Sequence, residues 1–303
     1  MTSHPLDLLP PRGKPPSTVR AIETWIQQAE RKVGARRLGW MVASGVVIAA
    51  LQRSSHYDGK PSFLVKGGTY LELRLGLGAR ATRDLDTLFR GDYREYLEVL
   101  DRTLARPFDG ISFQRTEPRP IEIPGRLTYP FRIDVSLRLR GRTWRRIALE
   151  VAPDEGRAGS RADLFQPPSL AHFGLTTPTA TAGIAMDYQV AQKLHACTEP
   201  HTPDHPNDRV RDVLDLLLLK SAFYDDQADL SALEKACRDL FRAREREAEQ
   251  AKETLPRSWP PIITVHPRWK PEYRTYAGEV GLELALDQAV SSLNSWIEKI
   301  DAK

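Results

Sequence analysis

Residues 63–90 read FLVKGGTYLELRLGLGARATRDLDTLFR, and this stretch decides the fold that we expect for the chain. The apolar run Phe63–Val65 predicts a short buried strand, and the segment from Tyr70 to Leu77 predicts a helix after a Gly-Gly turn. A second strand follows and carries Asp84 and Asp86. Because alternate side chains of a strand share one face, the two carboxylates are expected to point the same way.

Two carboxylates on one face repel each other unless a positive charge lies between them. Oxygen ligands of this kind suit Mg²⁺, which takes one or two carboxylates together with substrate phosphates, and Mn²⁺ shares that preference. The pattern therefore predicts a divalent-metal site at Asp84 and Asp86. A solvated strand end that binds no metal is the simpler explanation of the same Asp-Leu-Asp sequence.

The order of a Gly-Gly turn, a helix and an Asp-x-Asp strand resembles the core signature of the DNA polymerase β-like nucleotidyltransferase superfamily. The resemblance implies that Gly68 and Thr69 hold the phosphates of a nucleotide and that Asp84 and Asp86 carry the metal ions. It also implies the fold class, which is α+β. We expect a mixed β-sheet flanked by helices, followed by a mostly helical C-terminal lobe.

The composition is that of a globular protein, since 28% of the 303 residues are charged, 41% are hydrophobic and the formal net charge is +4. This charge is compatible with a nucleic-acid partner without requiring one. The longest apolar run, Met41–Leu51, is too short to span a bilayer, and two cysteines give no disulfide framework. We expect a cytoplasmic protein with no membrane partner.

Three parts are expected along the chain: a Pro-rich mobile arm at 1–16, a nucleotidyltransferase core at 17–165 and a mainly helical domain at 166–303. The boundary falls in the stretch 154–183, which is rich in Gly, Pro, Ser and Thr. Apolar periodicity predicts helices at about 17–34, 36–53, 93–104, 186–197, 208–219, 229–253 and 282–301, and short strands at 111–113, 121–123 and 262–265.

Alternating apolar residues in 131–139 and 144–151 predict a β-hairpin. A shift of one residue would turn every side chain to the opposite face, so the apolar pattern constrains the register. A loop at 141–143 joins the two apolar faces and pairs Val135 with Leu149.

In this register Asp134 lies opposite Glu150 on the polar face of the hairpin. Like charges that face each other destabilise a strand pair unless a cation lies above them. Both residues are therefore candidates for a third metal ligand, and an ion pair with Arg132 or Arg146 is the alternative for each. Arg146 and Arg138 share this face and are candidates for contacts with an RNA backbone.

A second set of motifs occurs more than a hundred residues later. Lys193-Leu-His-Ala is followed, after a loop, by Asn207-Asp-Arg-Val-Arg-Asp-Val-Leu-Asp-Leu. Together with Val65-Lys-Gly-Gly-Thr and Thr82-Arg-Asp-Leu-Asp, these segments resemble the motifs of the AbiEii/AbiGii nucleotidyltransferase toxins, and most closely the MenT branch of actinobacterial toxins. The four motifs occur in the family order over roughly residues 20–225.

The family resemblance implies a role for each matching residue. Asp215 would be the essential acid of the second half, and Glu150 matches the MenT-like pattern for the third carboxylate better than Asp134 does. Lys193 would contact the triphosphate, although a solvated lysine on a helix face is the simpler explanation of that residue alone. The remaining nucleotide-binding candidates are Lys66, Gly68, Thr69, Arg83 and Arg211.

The function implied is that of a toxin-like, metal-dependent nucleotidyltransferase. Its substrate would be an NTP, and its acceptor would be RNA, in particular the tRNA 3′ end, so that transfer of NMP blocks translation. A cognate antitoxin protein is the further partner that the resemblance implies. The alternatives are transfer to a small molecule or a protein hydroxyl, and a non-catalytic protein that binds RNA or an antitoxin.

Overall fold

The computed structural model of the protein describes residues 4–34, 37–76, 79–123, 127–199, 206–252 and 257–303. Residue 36, Leu77 and residue 253, at which three predicted helices begin or end, lie outside these ranges. The helices are α1 Val19–Val33, α2 Leu38–Leu51, α3 Gly67–Leu75, α4 Tyr96–Leu104, α5 Met186–Cys197, α6 Val210–Phe223, α7 Ser231–Gln250, α8 Trp269–Glu279 and α9 Leu286–Asp301. The strands are β1 Phe63–Val65, β2 Asp84–Phe89, β3 Ile111–Arg115, β4 Arg119–Pro120, β5 Phe131–Leu139, β6 Arg142–Ala152, β7 Ala162–Phe165 and β8 Thr181–Ile184.

These strands form one mixed sheet in the order β3-β5-β6-β2-β1-β8-β7, and β4 pairs with β5 beside the main path. β2 runs parallel to β6 and antiparallel to β1, while β1 runs parallel to β8. From α5 onward the described chain contains helices and connections without a further strand. The predicted α+β class, with a mixed sheet flanked by helices and a helical C-terminal lobe, is confirmed.

The two faces of the sheet differ in polarity at β2. Leu85 is fully buried on one face, whereas Asp84 and Asp86 are half-buried on the other. Helix α2 is apolar almost all round and lies in the core against the sheet. A Cβ on Gly39 of this helix would lie 2.5 Å from Arg145 Nη2, so glycine allows the close approach. The main core thus occupies one face, while the other carries the polar groups at Asp84 and Asp86 and a smaller apolar cluster that includes Leu64 and Leu88.

The register of the β5–β6 hairpin differs from the predicted one by two residues. Asp134 lies opposite Ala148, and Glu150 lies opposite Arg132. The apolar faces still meet, because a shift of two residues keeps every side chain on its own face. The prediction that Asp134 and Glu150 face each other is therefore wrong, and the cation beside Glu150 is on the neighbouring strand.

A tight turn and a bulge together explain this register. Leu139 pairs with Arg142, so the loop is only Arg140 and Gly141, which both have positive φ angles of 49° and 77°. A two-residue turn alone would place polar opposite apolar residues. The register shift after Leu137 inserts one extra residue, Trp144, into β6 and restores the alternation.

The N-terminal residues pack against the protein from His4 onward, whereas the sequence pattern predicted a mobile arm. Leu6 and Leu9 are buried in the core. The N–H of Arg12 donates to the Ala171 carbonyl oxygen at 2.9 Å, and the Arg12 guanidinium lies 4.4 Å from the centre of the Trp25 ring. Leu6 and Leu9, which lie between Pro5 and Pro10, supply the apolar surface for this packing. The prediction of a mobile arm took account of the prolines and overlooked these leucines.

The structure also differs from the sequence-based predictions at three other places. Residues 121–123 form no strand. Residues 262–265 form none either, because the backbone of Ile263 is paired on both sides with the side-chain amide of Asn294. Helix α8 was not predicted. The domain boundary at residue 165 stays a prediction, although the sheet itself continues to Ile184.

Helices α5 to α9 pack on one another around buried aromatic side chains that include Trp269 and Trp296. Among the described residues, no single helix is long and apolar enough to cross a membrane. α1 and α2 meet that test only as a pair bent by 119°, and the residues of α2 are buried in the core.

Glu72 is a buried acid on α3, directly behind the Gly-Gly turn. Its Oε1 accepts a hydrogen bond from Arg37 Nη1 at 3.2 Å, whereas its Oε2 is buried without a partner among the described residues. Burial raises the pKa of Glu72 to about 7, although the charges of Arg37 and Arg80 act in the opposite direction. The folded protein therefore holds a proton on Glu72 that the unfolded chain releases at lower pH.

Replacing Glu72 with glutamine should stabilise the protein at high pH. Stability from this group falls as pH rises from its ordinary pKa of 4.5 to about 7, because the unfolded state binds fewer protons than the folded state. Glu72→Gln removes that loss, so its advantage in free energy of unfolding should grow by up to about 3 kcal/mol between pH 5 and pH 8. Denaturant unfolding measures it, with exposed Glu98→Gln as the control; a pH-independent difference would contradict the expectation.

Candidate functional site

The turn between β1 and α3 brings the main chain against Asp86. Gly67 has a φ of 64°, and a Cβ at this position would lie 2.2 Å from Asp86 Oδ2. The N–H of Lys66 donates to the Asp86 carbonyl oxygen at 3.0 Å, and the N–H of Gly67 donates to Gln189 Oε1 at 3.1 Å. Glycine tolerates both the left-handed φ and the close approach, so the first turn of α3 lies directly beside Asp86.

Three carboxylates share one face of the sheet at this point. Asp86 lies opposite Glu150 across the parallel β2–β6 pair, and Asp84 lies opposite Ala148 two residues earlier. Arg132 Nη2 lies 2.9 Å from Asp84 Oδ1 and 2.7 Å from Glu150 Oε1. One guanidinium therefore joins two of the three carboxylates, and Glu150 is the acid beside the Asp-x-Asp pair.

The carboxylates are not fully neutralised by the cations around them. Burial and the negative charges of Glu150 and Asp84 raise the pKa of Asp86 to about 7, against the opposing effect of Lys66 and Lys193. Among the described residues, no three acidic, His or Cys side chains are drawn together closely enough to hold a metal ion. The donor set nevertheless fits a hard divalent cation, because it consists of carboxylate oxygens whose charge is only partly offset.

Three charged residues of the second-half motifs form a largely buried network with Arg80 of the first half. Lys193 Nζ lies 2.8 Å from Asp212 Oδ1 and 2.6 Å from Asp215 Oδ2. Arg80 donates from Nε and Nη2 to the two oxygens of Asp215 at 2.9 and 2.8 Å. Burial alone would lower the pKa of Lys193, but Asp212 and Asp215 raise it above its ordinary value. The lysine is therefore charged, and both aspartates are engaged by cations.

A cleft of about 1040 Å³ lies between the polar face of the sheet and helices α5 to α8. Arg211 lies at its helical wall, where Nε donates to the Tyr276 hydroxyl at 2.9 Å and the guanidinium lies 4.9 Å from the ring centre. The structure thus brings residues of both halves of the chain together. The predicted site residues that line the cleft are Lys66, Gly68, Asp84, Asp86, Glu150, Lys193 and Arg211.

Other predicted residues lie elsewhere. Thr69 is 1% exposed and its hydroxyl donates to the Asp84 carbonyl oxygen at 2.9 Å, so it holds β2 and does not line the cleft. Arg83 is exposed outside the cleft lining. Asp134 lies one strand beyond the carboxylates, with its Oδ2 3.6 Å from Arg119 Nη2. Asp215 is buried behind Lys193 rather than lining the cleft.

The hairpin arginines lie on the same sheet face as the carboxylates but outside the cleft lining. Arg138 donates to Gln114 Oε1 at 3.2 Å and to the Gly141 carbonyl oxygen at 2.6 Å. Arg146 is exposed and forms no ion pair with the described residues. Trp144, the hairpin aromatic residue, is buried and donates to Glu23 Oε1 at 2.7 Å.

Sequence reasoning did not single out Arg80 or Gln189 as site residues, although both line the cleft. Arg80 lies four residues before Asp84 in the quoted stretch, but nothing in the pattern indicates its bidentate pairing with Asp215. Gln189 lies four residues before Lys193 on the predicted helix, and that spacing places both on one face. The helical spacing was the signal that could have identified Gln189.

The contact between Gly67 and Asp86 can be tested with a matched pair of glycines. Gly34 has a φ of 69° and open space where a Cβ would lie, so Gly34→Ala should cost about 1–2 kcal/mol of stability through backbone strain alone. Gly67→Ala should cost at least as much and should also displace Asp86. We expect only Gly67→Ala to abolish binding of a nucleoside triphosphate with Mg²⁺; equal binding by both variants would contradict the assigned contact.

Comparison with known proteins agrees with the motifs. The family model described as nucleotidyl transferase AbiEii toxin of a type IV toxin–antitoxin system matches residues 49–296, which is more than half of the chain. A comparison with curated protein sequences finds no match.

Solved structures resemble the chain only distantly. MenT4, a nucleotidyltransferase toxin from Mycobacterium tuberculosis H37Rv, is 17% identical with a TM-score of 0.49, over 94% of this chain and 98% of that chain. The antibiotic-resistance factor ANT(2'')-Ia is 14% identical with a TM-score of 0.35, over 71% of this chain and 96% of that chain. By its family match, the chain belongs to the AbiEii nucleotidyltransferase toxin family and is a nucleotidyltransferase.

Proposed function

We propose that this nucleotidyltransferase transfers NMP from an NTP to RNA, at the 3′ end of a tRNA, and thereby blocks translation. The observation that carries the proposal is the shared sheet face of Asp84, Asp86 and Glu150, in a cleft that also contains Lys193. The tRNA end is inferred from the motif resemblance, and a cognate antitoxin partner is inferred from the type IV description of the family.

The walls of the cleft support binding of a triphosphate. Nucleotidyl transfer needs positioning and cancellation of charge more than covalent work from the protein. The first-turn N–H groups of a helix favour anions, and in α3 this turn begins with Gly67 and Gly68 beside Lys66. Arg211, stacked on Tyr276, supplies a further cation at the opposite wall. An NTP between the two walls would meet positive groups from both halves of the chain.

The three carboxylates support a divalent cation as cofactor, either Mg²⁺ or Mn²⁺. Such a cation, when bound, supplies charge neutralisation at the attacking and leaving oxygens. Asp84, Asp86 and Glu150 would hold it, in competition with Arg132, which bonds two of them. Asp215 acts through its neighbours, because it keeps the cations of Lys193 and Arg80 in place at the cleft wall.

An RNA acceptor is supported by the polar sheet face that continues beyond the carboxylates. Along β5 and β6 this face carries Arg138 and Arg146, and β3 adds Ser112 and Gln114. RNA is held largely through phosphate and sugar contacts from such side chains. A small-molecule acceptor would need no extended surface outside the cleft.

Incubation of the protein with total cellular RNA, Mg²⁺ and one labelled NTP at a time tests the proposal. We expect label from one or a few nucleotides at the 3′ end of tRNA-sized RNA. Label on a small molecule or on protein, with none on RNA, would favour the alternative acceptors. Binding of RNA without transfer of any nucleotide would overturn the proposed reaction.

Neutralising either aspartate of the Asp-x-Asp pair should abolish transfer while preserving the fold. Asp84→Asn and Asp86→Asn each weaken binding of the cation that offsets the charge of the triphosphate, so we expect a loss of about a thousandfold or more in rate. Asp134→Asn is the matched control on the same sheet face and should keep activity within about threefold. Labelled-NTP transfer and thermal unfolding are the measurements, and wild-type transfer by either first variant would contradict the assignment.

The hairpin arginines should contribute phosphate contacts to RNA binding. Replacing Arg138 and Arg146 together with glutamine should weaken tRNA binding and reduce the slope of log K against log salt by roughly 1.4–1.8, because each lost contact no longer releases counterions. Binding of free NTP should not change. Arg102→Gln is the control, since this arginine is 69% exposed on α4. Normal tRNA binding by the double variant at every salt concentration would remove the hairpin from the proposed surface.

A further inference from the structure

Gln189 carries a buried hydrogen-bond donor that the fold leaves unused. The residue is 1% exposed and lines the cleft from α5. Its Oε1 accepts the N–H of Gly67 at 3.1 Å. Because a backbone N–H can only donate, this bond fixes which side of the amide is oxygen and turns Nε2 away from Gly67. Nε2 is buried and has no hydrogen-bond partner among the described residues.

Buried side-chain donors are nearly always paired in native proteins, so an unpaired amide in a cleft indicates a place for a ligand acceptor. The groups around it define the charge of that acceptor. Gln189 bonds the first residue of α3, beside Lys66, and lies one helical turn before Lys193 on α5. The carboxylate of Asp86 forms no hydrogen bond with Nε2, since that atom has no partner among the described residues. Two lysines and a helix N-terminus favour an anionic oxygen.

We propose that Gln189 Nε2 donates a hydrogen bond to an oxygen of the triphosphate chain of the bound nucleotide. This inference rests on the proposed function and deepens it. One amide then has two tasks: its oxygen holds the Gly67 turn beside Asp86, and its nitrogen contacts the substrate. The amide is neutral, so it adds no charge to the site. Its hydrogen bond is directional and would fix the position of one phosphate relative to Lys66 and Lys193. The residue contacts substrate but transfers no proton, so it determines where the triphosphate lies.

Gln189→Glu separates the two tasks, because it keeps an acceptor for the Gly67 N–H and replaces the donor with a second oxygen. The probe is inorganic tripolyphosphate, which has no base or sugar, and binding is measured calorimetrically at pH 8.5 with and without Mg²⁺. We expect the affinity to fall by at least about tenfold. The buried carboxylate also lowers the free energy of unfolding, so thermal unfolding is recorded for each variant and binding is measured below the transition. Gln189→Met, which loses both groups, should weaken binding at least as much.

Gln192→Glu is the matched control for added negative charge. It lies on the same helix next to Lys193, and its Nε2 already donates to Glu155 Oε2 at 3.3 Å. We expect its affinity for tripolyphosphate to change by less than about threefold. Tight binding by Gln189→Glu, or equal weakening by Gln192→Glu, would overturn the role of Gln189 and leave a water molecule as the partner of Nε2. Wild-type protein that binds neither tripolyphosphate nor any NTP would instead overturn the proposed function and, with it, this inference.

Discussion

Mutual repulsion between Asp84, Asp86 and Glu150 is the constraint on which the arrangement of the site depends. All three lie on one face of two neighbouring parallel strands, and burial with like charges raises the pKa of Asp86 to about 7. Cations from three different elements partly offset this repulsion: Arg132 from β5, Lys66 from the turn after β1, and Lys193 from α5. Placing so many charges on one face lowers the stability of the sheet, and such an arrangement is typical of a ligand-binding site.

The helical lobe is therefore an electrostatic part of the site and more than a cover for it. Arg80 and Lys193 carry two positive charges, and Asp212 and Asp215 carry two negative charges in the same buried network. Removing one member would leave an uncompensated buried charge, which typically costs about 3–5 kcal/mol. Arg80 comes from the connection before β2 and Asp215 from α6, so this network joins the two halves of the chain beside the cleft.

Local pattern was sufficient for the faces of the strands and insufficient for their exact register. The alternation in β2 and β5 gave the correct core side because it depends on each strand alone. The extra residue at Trp144 could not be read from alternation, since a two-residue turn and a bulge together preserve the apolar pattern. Thr69 shows a second limit: motif position placed it beside the cleft, but the direction of its hydroxyl depends on Asp84, fifteen residues away. Arg80 and Gln189 depend on tertiary contacts in the same way.

The cations around the carboxylates differ in how freely they can move. Lys193 is 7% exposed and Arg80 is 12% exposed, and each is fixed by aspartates that would lose their partner if it left. Arg132 is 40% exposed and its partners Asp84 and Glu150 are 37% and 26% exposed, so its guanidinium can turn toward water at a lower cost than Lys193 or Arg80 can. An incoming cation can therefore replace Arg132 as the partner of Asp84 and Glu150 while the network at Asp215 stays intact. In this arrangement the β5 arginine is the exchangeable counter-charge and the α5 lysine is the permanent one.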